Sequence, residues 1–168
     1  MSERSPAPGG LALVESLVNT LDIESGADTL DTADGRARLG LTDDELPAAR
    51  ELRESLRAAL LAHAGHAPHR AVTPLGELLT AAPLLVAVDP GDGSARLAPA
   101  DPGPLLSRVS AAVAEALVAG TWNRLKACEA VTCHWAYYDR SPAGRGRWCS
   151  MQVCGARAKM RRYRAKDE

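Results

Sequence analysis

The chain contains no phenylalanine, and no tryptophan or tyrosine precedes Trp122. No cysteine precedes Cys128. No apolar run approaches the roughly 20 residues that a membrane-spanning helix needs, so no membrane association is expected. The first ten residues, Met1-Ser-Glu-Arg-Ser-Pro-Ala-Pro-Gly-Gly10, lack the apolar core of a secretory leader. A cytoplasmic location is therefore expected, and thiols stay reduced there. No internal repeat, glycine-rich phosphate loop or nucleophile–base pair stands out, so the chain does not read as an enzyme.

What is present divides at about residue 120. The 168 residues give room for one ordinary domain and a small appendage, and 46% hydrophobic with 24% charged residues is ordinary for a globular protein. The net charge of −1 hides two opposed halves. Residues 1–120 carry 9 Lys/Arg against 17 Asp/Glu, a net of −8, whereas residues 121–168 carry 11 against 4, a net of +7. All 3 tryptophans and 3 tyrosines lie in the second part. Two modules of different chemistry share the chain.

Residues 1–10 read as a disordered tail and residues 11–120 as a helical domain. Leu11, Val14, Leu17, Val18 and Leu21 repeat at helical spacing. The polar stretch from Asp22 to Gly40 reads as a loop. The longest helix is expected from about Pro47 to Ala64, with Leu52, Leu56, Ala59 and Leu60 on its apolar face. Thr42-Asp-Asp-Glu45 resembles a capping box, but Pro47 suits a first helical turn, so a short turn should precede the main helix. A further short helix is expected from Thr73-Pro74 through Leu79. Leu84–Val88 and Ala95–Ala98, joined by Asp89-Pro-Gly-Asp-Gly93, predict one β-hairpin. A last helix follows Pro102-Gly-Pro104 and stops near Gly120. The predicted class is mainly α, with one hairpin and a small cysteine-bearing C-terminal module over residues 121–168.

The four cysteines are spaced Cys128-x4-Cys133-x15-Cys149-x4-Cys154. Two thiol pairs flanking a short loop, in a reducing compartment, point to one closed four-thiolate Zn2+ site rather than to disulfides. Four thiolates leave no open coordination position, so the role is structural. Five residues apart on one helix, Cys149 and Cys154 would sit about 140° apart. Cys149 must therefore precede the helix, with Ser150 as N-cap and Cys154 in the first turn. His134, beside Cys133, is a weaker candidate ligand. His63, His66 and His69 read as polar surface at a helix end.

A cationic run follows Cys154. Its residues Arg157, Lys159, Arg161, Arg162, Arg164 and Lys166 occupy most of the circumference of a helix, and Arg145 and Arg147 in the preceding loop add to the positive field. Such a helix is simply solvated, docked on the acidic N-terminal domain, or held out as a nucleic-acid contact, and the last reading is preferred. Trp135 and Trp148 read as a small core around the knuckle rather than as stacking platforms. The alternatives to a DNA-binding regulator are a zinc-stabilised protein-interaction module and a thiol/zinc redox sensor.

Arg124-Leu-Lys-Ala-Cys128, Tyr137-Tyr-Asp-Arg-Ser141, Arg147-Trp-Cys-Ser-Met151 and Cys154-Gly-Ala-Arg157 together resemble the CGNR zinc finger. Leu11-Ala-Leu-Val14 with Leu17-Val-Asn-Thr-Leu21, the helices and the late hairpin are similar to the ABATE domain. The likeness is strong over residues 122–166 and looser over 11–120. It implies a stress-response transcription regulator whose zinc ligands are Cys128, Cys133, Cys149 and Cys154 and whose basic helix contacts DNA. Ala156 stands where that signature has Asn. The N-terminal domain is then expected to receive a small-molecule or protein signal, or to form a homodimer.

Overall fold

The structure is a computed structural model and describes residues 5–165; Lys166, one of the predicted phosphate contacts, lies outside the described residues. Helix α1 (Leu11–Val18) buries Leu11, Val14, Leu17 and Val18, the stripe that its spacing dictates. It ends before Leu21, which forms an isolated bridge with Asp28. A Cβ on Gly10 would lie 2.7 Å from the Ala112 Cβ, so a glycine here lets the start of α1 close against the later helix that carries Ala112.

The segment from Asp22 to Gly40 is not simply a loop. It contains a 3₁₀ turn (Thr29–Asp31) and α2 (Ala33–Leu39). The Thr32 side chain caps α2 by accepting from the Gly35 amide, and Gly40 closes it at φ 65°. Too few apolar positions occur in these seven residues to give a periodic signal.

Helix α3 (Leu46–His63) starts with Pro47 in its first turn, as expected. It is the central helix and buries more than its aliphatic face, because Arg53, Glu54 and Arg57 are buried too. Glu54 collects Arg53 Nε at 2.8 Å, Arg57 Nε at 3.4 Å and His69 Nε2 at 2.9 Å. Arg57 Nη2 donates to the Val18 carbonyl at the end of α1, and Arg53 Nη1 reaches Asp28 at 2.7 Å. Buried charges persist only when paired and hydrogen-bonded, and these pairs pin α1 and the following loop to α3.

Short helix α4 (Leu75–Leu79) leads into strands β1 (Leu84–Val88) and β2 (Ala95–Pro99), which form the predicted hairpin in the register Leu84↔Pro99 to Val88↔Ala95. Helix α5 (Leu105–Val118) packs on α1, and Gly120 at φ 67° turns the chain out of it. A 3₁₀ turn (Trp122–Arg124) then leads to a second antiparallel pair, β3 (Leu125–Ala127) with β4 (Ala136–Tyr138). The single expected hairpin is therefore joined by a second strand pair, too short for alternation to show in the sequence.

This second pair lies in the same hydrophobic core as the helices. Leu125, Ala127 and Ala136 cluster with Val14, Leu56, Leu60 and Val109. Asn19, just after α1, uses its side-chain amide as a strand residue would: Nδ2 donates to the Ala136 carbonyl at 3.0 Å and Oδ1 accepts from the Ala136 amide at 2.7 Å. The expected disorder of the N-terminal ten residues does not extend to residues 5–10. Ala7 is buried, and the Ser5 and Pro6 carbonyls accept from Arg140. Met1 to Arg4 lie outside the described residues.

Candidate metal centre and basic face

Two short turns bring the cysteines together. In the first, the Cys133 and His134 amides both donate to the Ala130 carbonyl, while the Cys128 amide bonds to Trp135 across the turn. His134 takes φ 48°, uncommon for a residue with a side chain. Its Nδ1–H donates to the Cys128 carbonyl at 2.9 Å, so the imidazole braces the turn. In the second, Ser150 is the N-cap and its Oγ accepts from the Val153 amide. A π-helical turn (Met151–Gly155) then runs into α6 (Ala156–Arg164). Cys149 precedes the helix and Cys154 lies in its first turn, as the angular argument required.

The four ligand atoms lie within 4.8 Å of one another. Cys133 Sγ to Cys149 Sγ is 3.6 Å and Cys149 Sγ to Cys154 Sγ is 3.7 Å. Tetrahedral zinc with Zn–S bonds near 2.3 Å places its sulfurs about 3.8 Å apart, whereas a disulfide needs roughly 2.05 Å. All four cysteines are free thiols. Their electrostatics fit a cation as well. Hydrogen bonds from Cys133 and Cys149 pull the Cys128 thiol down to about 2, and the bond shared with Cys128 pushes Cys133 far up and Cys149 up to about 12. Four sulfurs this close cannot all ionise unaided, and a divalent ion is the group that lets them. The cluster is a structural site for one zinc ion, and His134 is not part of it.

A small apolar shell surrounds the thiols: Ala130, Tyr137 and Trp148 pack with the cysteines. Trp148 takes the predicted core role, whereas Trp135 is absent from this shell and the Tyr137 ring fills its place. Gly155 leaves little room for a methyl group: a Cβ would meet Met151 Sδ at 3.1 Å and Trp148 Cδ1 at 3.3 Å, so both neighbours would have to give by a few tenths of an ångström. The loop from Asp139 to Gly146 is organised by Asp139, whose carboxylate accepts from the Ser141 and Gly146 amides and from Lys126 Nζ at 2.9 Å. Burial alone would raise this carboxyl, but the bonds from Ser141, Lys126 and Gly146 win and hold it well below the usual range. Arg124 donates to the carbonyls of Asp139, Ser141 and Pro142 from the other side.

The histidines sit differently from the polar surface expected of them. His63 Nδ1–H donates to the Leu125 carbonyl at 2.7 Å, and its ring stands edge-on to Trp122 with centroids 4.9 Å apart. Burial pushes its pKa down and the Leu125 bond opposes this, leaving His63 below the usual imidazole value. His69 binds Glu54, and its ring centroid is 6.0 Å from that of His134. His66 approaches Glu129 at 3.8 Å. All 4 histidines therefore lie along the seam between helical body and finger, a placement that needs the fold to be seen.

The predicted cations divide into two sets. Arg147 makes a two-pronged pair with Glu129 and covers the Trp148 ring, and Arg157 pairs with Glu24 of the helical body. Lys159, Arg161, Arg162 and Arg164 project from α6 exposed, and none has an ion-pair partner among the described residues. Arg145 is exposed on the neighbouring loop. No residue of α6 is buried, so the helix is held through the π-helical turn that precedes it, where Cys154 and Gly155 are buried.

No helix among the described residues is long and apolar enough to cross a membrane. No curated protein matches the chain. Residues 124–167, which contain the four thiol ligands and the cationic helix, match the family of the CGNR zinc finger.

Proposed function

We propose that the protein is a cytoplasmic, zinc-dependent, DNA-binding transcription regulator of the stress-response type. The observation that carries this reading is the acid-free cationic surface of α6, rooted in the four-thiolate cluster. When bound, zinc supplies a four-way cross-link between the two cysteine turns. Cys154 ties the helix start to that link, Ser150 caps it, and the Asp139–Lys126–Arg124 network fixes the loop bearing Arg145. Lys159, Arg161, Arg162 and Arg164 then contact phosphates, with Lys166 continuing the same series.

Intramolecular docking is disfavoured as the purpose of the basic helix. Only Arg157 of its described cations meets an acid of the helical body, through an exposed pair that solvent screens. Residues 11–120 are read as an ABATE-like domain that receives a signal or dimerises. We propose no catalytic role.

The test is salt-dependent binding of the zinc-loaded chain to DNA. With roughly six phosphates engaged, log K should fall against log salt with a slope near −5. A flat response, or no retention of DNA at low salt, would reject the reading.

A further inference from the structure

Two grooves flank one ridge on the finger. One is lined by Tyr138, Asp139, Arg140, Pro142, Ala143 and Arg145, the other by Glu129, Gly155, Ala158, Lys159, Arg161 and Arg162, the two acids being engaged by Lys126 and Arg147. Arg147, Trp148 and Met151 belong to both and form the shared wall. The chain continues from that wall as Met151-Gln152-Val153, the outward face of the π-helical turn. Met151 is 64% exposed and Val153 48%, and Gln152 is exposed as well. No Asp or Glu occurs between Cys149 and Ala165. Covering these two apolar side chains with a partner would be favourable.

The shape selects among nucleic acids. A single strand needs open aromatic faces beside a basic track. The Trp148 ring carries Arg147 at 5.3 Å on one side and rests its edge on Gly155. The Tyr138 ring carries Arg140 at 5.1 Å. Of the aromatic side chains described, only Tyr163 is largely exposed, and one ring makes no platform. A ridge with cations along both flanks fits instead a duplex groove, where a phosphate strand runs along each wall. The roughly 12 Å major groove admits a helical turn.

Resting on the DNA-binding reading above, we propose that the partner is duplex DNA and that Gln152, Met151 and Val153 form its base-reading crest, while the flanking cations hold phosphates. The Gln152 carboxamide offers the acceptor and donor that pair with the adenine edge, and the Met151 and Val153 side chains match the thymine methyl. Its present partner, the Ser150 hydroxyl at 3.4 Å, is weak and easily exchanged. The crest thus assigns sequence preference to residues before Ala156, which lines the second groove and has no polar side chain to read with.

The experiment uses the full zinc-loaded chain on three probes: a random-sequence duplex, its single strand, and the duplex best retained in selection by the wild type. The expected order is selected duplex, random duplex, single strand. Gln152→Ala and Met151→Ala, checked for one zinc per chain, should lose roughly 5- to 100-fold on the selected duplex, the range for one good base contact, while random-duplex binding stays within about twofold. Single strand bound as tightly as duplex overturns the proposal, as do crest variants that keep the wild-type preference or weaken all duplexes alike; in each case salt-dependent binding leaves the broader reading standing. Failure to bind any of the three probes rejects both.

Discussion

The helical body and the finger handle charge in opposite ways. In the body, Arg53, Glu54 and Arg57 are buried and paired with one another, with Asp28 and with the Val18 carbonyl, although Arg57 Nε and Nη1 are left without a hydrogen bond. In the finger, the α6 cations other than Arg157 stay in water without ion-pair partners among the described residues, and beside the Lys126–Asp139 pair the buried polar groups are a cluster of thiols that needs a metal to ionise together. The body closes over an aliphatic core, whereas the finger adds Leu125, Ala127 and Ala136 to it, packs Trp122 and Tyr138 against it, and relies for the rest on four sulfurs and the buried Lys126–Asp139 pair. Charge in the body holds the fold; on the finger it is left for a partner.

That contrast can be broken most severely at the metal. Structural zinc in comparable modules is worth about 10–16 kcal/mol, so a strong chelator or Cys149→Ala should open the cysteine turns and shift tryptophan emission, because Trp148 packs on them. Far-ultraviolet circular dichroism should keep most of its helical amplitude, since α1 to α5 draw on their own core. Collapse of the whole helical signal would mean that the body depends on the finger.

Next in size is the body's own charge. Arg57→Ala takes the most distant of the three partners of Glu54 and removes the bond to Val18, and breaking a buried pair costs about 3–5 kcal/mol, to be read from the denaturant midpoint. Zinc content should not change.

The seam comes third. Asn19→Ala removes two bonds to Ala136 and should cost about 1–3 kcal/mol, as expected when partly buried partners are left unpaired. The same seam titrates. His63 and His69 both have pKa values lowered by burial, so the unfolded chain binds protons more readily than the folded one. Their contribution is complete above the unfolded imidazole value of about 6.5 and is lost as pH falls towards the lower folded values. Stability should therefore decline from pH 7 to 5, with a shallower decline in His63→Ala.

Smallest in stability and largest in function is the basic face. Arg161→Glu with Arg162→Glu should move stability by no more than about 0.5 kcal/mol and yet abolish DNA retention in a gel shift. Retained binding would return α6 to the status of a solvated helix.

Much of this contrast is legible in the residues alone. The opposed charges, the cysteine spacing with Ser150 as cap, and the periodicity of α1, α3 and α5 all point to elements that the fold contains. What escapes is whatever depends on distant partners. Arg57 reads as surface until Val18 and Glu54 are seen beside it. Lone histidines carry no periodic signal, and three-residue strands such as β3 and β4 have too little alternation to declare themselves. Residues 5–10 look disordered because nothing in their composition announces that Arg140, more than 130 positions away, will grip two of their carbonyls.

Asn19 has a consequence for how a signal could travel. A strand added to β4 could slip by two residues and find equivalent bonds, but a lone carboxamide has one docking register and cannot slide. The join between α1 and the finger is keyed, so a rotation of α1 large enough to move Asn19 must either carry β4 with it or let go entirely.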